Sequence, residues 1–171
     1  MRTTPCYDAL AEGARFGCLW GMEVPNYFAP GMPGFTETPT LGRSEAHDLV
    51  GREVKAVREA AGLFETAIYA RYEVTGPGAE AFLDRVLAAR LPAVGRVRLA
   101  PMLSPGGKLM GDLTVARLAA DRFWLVGSYH LQVWHMRWLD ALKPATGVAI
   151  RNLSDDWLGF LNVTPATCSR A

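Results

Sequence analysis

Residues 101–118 read PMLSPGGKLMGDLTVARL, two apolar runs joined by Pro105, Gly106 and Gly107. Glycine reaches positive φ without a Cβ clash, so Pro-Gly-Gly between apolar runs predicts a tight turn joining two strands. One residue breaks the apolar pattern. Asp112 stands just after the turn, and aspartate is disfavoured in strands and costly to bury without a partner. Two explanations stay open from the residues alone: the carboxylate ends the turn by accepting from a nearby backbone amide, or it is placed there for chemistry.

Outward from this hairpin the chain alternates helical and strand periods. Val50, Val54, Val57 and Ala61 repeat at helical spacing, with Gly62 as the expected C-terminal cap. Residues 68–74 read as a strand with Tyr69, Arg71 and Glu73 on one side. Gly76 and Pro77 turn the chain into a helix with the stripe Phe82, Leu83, Val86 and Leu87. Strands are expected over 97–103, 112–118 and 122–126. Ser128 then caps a helix with the inner face Leu131, Trp134, Trp138 and Leu142, ended near Pro144. Further strands follow over 148–153 and 157–163. The order predicts an α+β fold, two helices on an antiparallel sheet. Residues 1–42 are punctuated by Pro5, Gly13, Gly17, Gly21, Pro25, Pro30, Gly31 and Pro33, which predicts an irregular N-terminal arm. The expected division is therefore 1–42 as arm, 43–153 as the α+β layer and 154–171 as the start of a following segment.

Composition narrows the classes. Half of the 171 residues are hydrophobic and 20% charged, enough to bury a core. A net charge of +1 gives no electrostatic footprint for nucleic acid or an anionic membrane, and no apolar run approaches transmembrane length. Residues 1–30 lack a secretory pattern, so a cytoplasmic location is expected. Cys6, Cys18 and Cys168 are odd in number and far apart, which suits free thiols. His130 and His135 are five apart, off metal-ligand spacing on a helix, and His47 stands alone, so no metal site is expected. The PGGK of residues 105–108 lacks the glycine spacing and hydroxyl of a P-loop.

Four further segments, RTTPCYDAL at 2–10, EVPNYFAPG at 23–31, GREVKAVREAAGLFE at 51–65 and YEVTGPGAEAFLDRVLAARLP at 72–92, precede the hairpin in one order. Together they resemble the tetrahydrofolate-binding aminomethyltransferase family, which includes the T-protein of glycine cleavage and the folate-binding units of dimethylglycine and sarcosine dehydrogenases. The resemblance covers the N-terminal half of that unit. It implies a ferredoxin-like layer within a partial trefoil, and an activity in which a one-carbon unit from an N-methyl amine passes to tetrahydrofolate, giving methylenetetrahydrofolate.

Asp112 matches the family aspartate at the folate nitrogens, and is the expected catalytic residue. Tyr69, Leu99, Trp124, Val126 and Ser128 match positions lining the folate pocket. Leu99 and Val126 are also explained as ordinary core, Ser128 as a helix cap and Trp124 as a core-facing ring. The family's flavin domain is not matched, so tetrahydrofolate is the expected cofactor, with no FAD site in this chain. Implied partners are folate, a flavoprotein or complementing C-terminal half, and a second copy through self-association. The alternative is a non-catalytic binding or assembly module, a fragment or degenerate subunit that keeps the layer without turnover.

Overall fold

Residues 1–35 and 37–165 are described by the computed structural model. They divide into two units, one of residues 1–68 with the described part of 158–171, the other Tyr69–Trp157. The first unit contains β1 (Arg2–Thr3), α1 (Tyr7–Leu10), β2 (Ala14–Leu19), β3 (Met22–Phe28), α2 (His47–Glu59) and β4 (Gly62–Glu65). The second contains β5 (Tyr69–Thr75), α3 (Ala79–Val86), β6 (Val97–Leu103), β7 (Leu109–Ala119), β8 (Arg122–Ser128), a 3-10 turn at Tyr129–Leu131, α4 (Gln132–Leu142) and β9 (Ala149–Asn152). The chain then returns to the first unit as β10 (Phe160–Val163), antiparallel to β4.

The first unit corrects two expectations. Residues 1–42 are not an irregular arm: β2 and β3 form a hairpin, and β1 adds in parallel to β3. Its two-residue turn is Trp20-Gly21, both at positive φ, the geometry that matches strand twist. Pro25 lies inside β3, and the pairing shifts at Arg15 and Phe16, opposite it. Nor does Gly62 cap the helix. It opens β4, where a Cβ would lie 2.6 Å from Val57 Cγ2. The expected helix is present as α2, with Val50 and Val54 exposed and Leu49 buried, packed with Tyr27, Ala29 and Ala46.

In the second unit every strand pair is antiparallel, in the order β6-β7-β8-β5-β9. The α+β arrangement of two helices on an antiparallel sheet is thus observed. Period-two alternation sends Ala70, Tyr72 and Val74 of β5, Leu113 and Val115 of β7, and Phe123 and Leu125 of β8 to one face. There they meet Phe82, Leu83 and Val86 of α3 and Leu139 of α4. Each fully buried valine, leucine or phenylalanine among them stabilises the fold by about 1.5–3 kcal/mol. Arg117 of β7 adds a bidentate pair with Glu80 of α3, at 2.8 and 2.6 Å, and its guanidinium lies 5.0 Å from the Phe123 ring centroid. Along the outer side of β6, Ala88 N–H donates to Pro101 O at 2.8 Å, and Leu87 bridges Met102.

Helix α4 packs Trp138 and Leu142 against the core as expected, and departs from its expected face at Trp134. His135 and Leu139 are fully buried, whereas Trp134 turns outward and its Nε1–H donates to Met110 O at 2.9 Å. The imidazole is seated by two glycines. A Cβ on Gly111 would lie 2.6 Å from His135 Nε2, and one on Gly127 would lie 2.6 Å from Leu113 Cδ2 and 3.0 Å from His135 Cε1. Tyr72 Oη and His135 Nδ1 are hydrogen-bonded at 3.0 Å, while Nε2 has no partner among the described residues. Ser128 makes no side-chain cap bond, because the 3-10 turn intervenes before α4.

Two outcomes follow from this packing. Gly127→Ala crowds the imidazole and Leu113, and should destabilise the fold by about 1–3 kcal/mol, read as a lower urea midpoint with an unchanged slope. Burial, reinforced by His130 and opposed by Asp112, pushes the His135 imidazole below its ordinary 6.5. The unfolded chain then binds a proton that the folded chain refuses, so stability should fall as pH drops from about 6.5 toward the lower folded value. Urea midpoints across pH 7.5 to 5 would show it, with His135→Asn flattening that slope.

Candidate functional site

The face of the five-stranded sheet opposite α3 and α4 holds every residue singled out for folate. Tyr69 pairs with Ser128, Glu73 with Trp124, Val126 with Thr114, and Thr114 with Leu99. Carrying the β7–β8 pairing two residues beyond Thr114 and Val126 brings Asp112 level with Ser128, and Asp112 pairs with Pro101 on β6. Tyr69, Ser128 and Asp112 therefore share one row across β5, β8 and β7. Arg71, Val126, Thr114 and Leu99 form the next row along. The core alternative for Leu99 does not hold: it is 63% exposed, and Val126 is half-buried on the same face. Tyr69 is 44% exposed, and Asp112 is exposed.

Trp124 is held on this same face, away from the helix-packed core. Its Nε1–H donates to Glu73 Oε1 at 3.2 Å, and its ring meets Trp157 edge-on at 5.4 Å between centroids. Glu73 is a buried carboxylate with several donors. Arg122 Nε donates to Oε1 at 2.7 Å, and Arg151 Nη1 lies 3.7 Å from Oε2. Burial alone would push the Glu73 carboxyl up. The bonds from Arg122 and Trp124, with the charges of Arg122 and Arg151, outweigh it and hold the group below the ordinary carboxylate range. Sequence reasoning placed Glu73 on this side of its strand but missed Arg122, Arg151 and Trp157. Their signal is cross-strand pairing, which no local period reveals.

The face offers apolar walls in Leu99, Val126 and Trp124, and polar edges in Asp112, Thr114, Ser128 and Tyr69. A flat heterocycle with polar edges suits that mixture. A groove of about 600 Å³ lies elsewhere, between the end of α3, the β6–β7 turn and α4, lined by Arg85, Leu87, Leu103, Pro105, Trp138 and Leu142. It contains none of the candidate residues. No group of three metal-ligating side chains occurs among the described residues. Cys6 and Cys18 are free thiols, and Cys168 lies outside the described residues. No helix among the described residues is long and apolar enough to cross a membrane.

Residues 6–165 match the family described as GCVT N-terminal domain. The chain is similar to mitochondrial dimethylglycine dehydrogenase of Rattus norvegicus, 27% identical over 165 residues, covering 95% of this chain and 19% of that protein. It is 31% identical over 159 residues to an aminomethyltransferase of Symbiobacterium thermophilum, covering 91% of this chain and 37% of that one. Among solved structures, the glycine cleavage system aminomethyltransferase T from Bartonella henselae superposes with a TM-score of 0.76 and 25% identity, over 96% of this chain and 41% of that chain. The chain thus spans less than half the length of these relatives.

The Glu73 cluster has a pH signature. A carboxyl held below its unfolded value stabilises the fold fully above about 4.5, and that contribution is lost as pH falls from there through the lower folded value. Urea midpoints measured from pH 6 to 3 should therefore fall more steeply for the parent chain than for Glu73→Gln. The variant should also be less stable at pH 6, because the two guanidiniums lose their carboxylate.

Proposed function

This chain belongs to the GCVT N-terminal domain family, and on that premise we propose that it is the tetrahydrofolate-binding part of an aminomethyltransferase-like or dimethylglycine/sarcosine dehydrogenase-like enzyme. The observation that supports this most is the gathering of Tyr69, Leu99, Asp112, Trp124, Val126 and Ser128 on the helix-free face. Leu99, Val126 and Trp124 provide the walls against which a pterin lies. Ser128 and Tyr69 meet its polar edges, and Asp112 stands in their row. Tetrahydrofolate, when bound, supplies the amine that takes up the one-carbon unit.

Asp112 is the general base of this proposal. Its Oδ accepts the amine proton as the new bond forms and opposes the positive charge that develops beside it. An exposed position on a rigid strand suits that task, since the proton taken up passes on to solvent. The same proposal includes a complementing C-terminal half and a flavoprotein that delivers the N-methyl amine carbon, with self-association and a cytoplasmic location.

Calorimetric titration of the chain with reduced tetrahydrofolate tests the proposal. Saturable micromolar binding, weakened in Asp112→Asn, is the expected result. In a turnover assay with the completing partner, the same variant should lose about 10²- to 10⁴-fold in rate. A folded chain that does not bind tetrahydrofolate overturns the folate proposal and leaves an assembly module as the function.

A further inference from the structure

The β6–β7 hairpin carries an irregularity beside the carboxylate assigned to the chemistry. From Met102 to Leu103, one step along β6 is matched by two along β7, from Gly111 to Leu109, so Met110 is the extra residue of a β-bulge. Such a bulge re-aims the side chains around it. In a regular strand Met110 and Asp112 would share a face. Here Met110 packs against the helix-covered core, while Asp112 stands exposed in the row of Tyr69 and Ser128. The ladder holds Asp112 loosely. The pairing of β7 with β8 starts only at Thr114, and opposite Asp112 on β6 is Pro101, which has no N–H to give.

Helix α4 supplies the missing hold. The Trp134 indole Nε1–H donates to the carbonyl of the bulge residue, Met110 O, at 2.9 Å, although the side chain is 45% exposed. The next helix residue, His135, lies against Gly111, where a Cβ would be 2.6 Å from Nε2 and 3.1 Å from Cδ2. Tyr72 fixes that imidazole in turn, its Oη 3.0 Å from Nδ1. Two consecutive residues of α4 thus grip the two residues that precede Asp112. Resting on the folate proposal above, we infer that Trp134 is a positioning residue for Asp112. By pinning the bulge from α4, it fixes the direction in which the carboxylate leaves the sheet on the opposite face. Trp134 belongs to the helix layer, so it acts only through the strand.

A double-mutant cycle on the 171-residue chain tests this, with tetrahydrofolate affinity read by calorimetry. Trp134→Phe keeps an aromatic ring and removes the donor, and should weaken binding about three- to tenfold. Trp134→Gln, whose amide N–H stands the same number of bonds from Cβ, should recover part of that loss. In an Asp112→Asn background, Trp134→Phe should cost nothing further, because the carboxylate it positions is already gone. The ligand-free chain gives a second readout. Relaxation dispersion of the backbone amides should show microsecond-to-millisecond exchange at residues 110–112 in Trp134→Phe and none in the parent. Circular dichroism spectra matching the parent's establish that the variants fold. An undiminished affinity in Trp134→Phe, or an equal loss in both backgrounds, overturns the positioning role while the folate proposal stands. Unchanged amide relaxation in Trp134→Phe overturns it whether or not tetrahydrofolate binds. If the folded parent binds no tetrahydrofolate, the folate proposal falls and takes this role with it.

Discussion

The pairing register of β5, β7 and β8 is the constraint on which the rest depends. Side chains alternate faces strictly along a strand, so a slip of one residue would turn Tyr72, Leu113 and Phe123 away from the helices and bring Tyr69, Asp112 and Trp124 toward them. That exchange would bury charge and expose core together. Apolar alternation is not the only lock. The Tyr72–His135 hydrogen bond ties β5 to α4, and the imidazole fits only where Gly111 and Gly127 leave its space open. Any register that moved those glycines would drive a Cβ into the ring. Asp112 and Ser128 each follow one of these glycines in sequence, so the packing that seats His135 also sets where the polar edge of the opposite face stands.

Electrostatics organise the opposite face as packing organises the core. Taking Glu73 out of water is unfavourable by itself. Arg122, Trp124 and Arg151 offset that cost and in turn become fixed by it. A buried acid with several donors is a way to hold side chains still on an open surface, where no core surrounds them. Trp124 gains an orientation that its apolar neighbours alone would not impose. The cluster belongs wholly to the second unit, as do all the candidate folate residues, so the site's geometry is set within residues 69–157.

Much of this was legible in the sequence. The Pro-Gly-Gly turn, the alternation of 112–118 and the stripe of Phe82, Leu83 and Val86 led to the observed order of strands and helices in the second unit. What failed did so for physical reasons. Residues 1–42 read as irregular because prolines and glycines punctuate them and Pro25 sits within β3, yet pairing with β2 tolerates it at an irregularity. The inner face of α4 is legible at Trp138 and Leu142, but an apolar stripe does not point to its fully buried histidine, whose room is made by glycines 8 and 24 residues upstream. The candidate folate positions rested on family resemblance, and the alternation shows only that they share a side. Arg122 and Arg151 were invisible because their relation to Glu73 exists only across strands.

Strand β6 shows valine and leucine side chains to water along the border of a sheet, an arrangement that ordinarily invites a neighbour's strand to extend it. Pro101 sits in the middle of that border with no N–H to offer, and its carbonyl is already taken by Ala88. A second molecule reaching for this margin finds no continuous ladder of donors and acceptors. The hairpin can therefore present greasy side chains for recognition without becoming a seed for cross-β growth, and any copy that does gather there must do so through side chains.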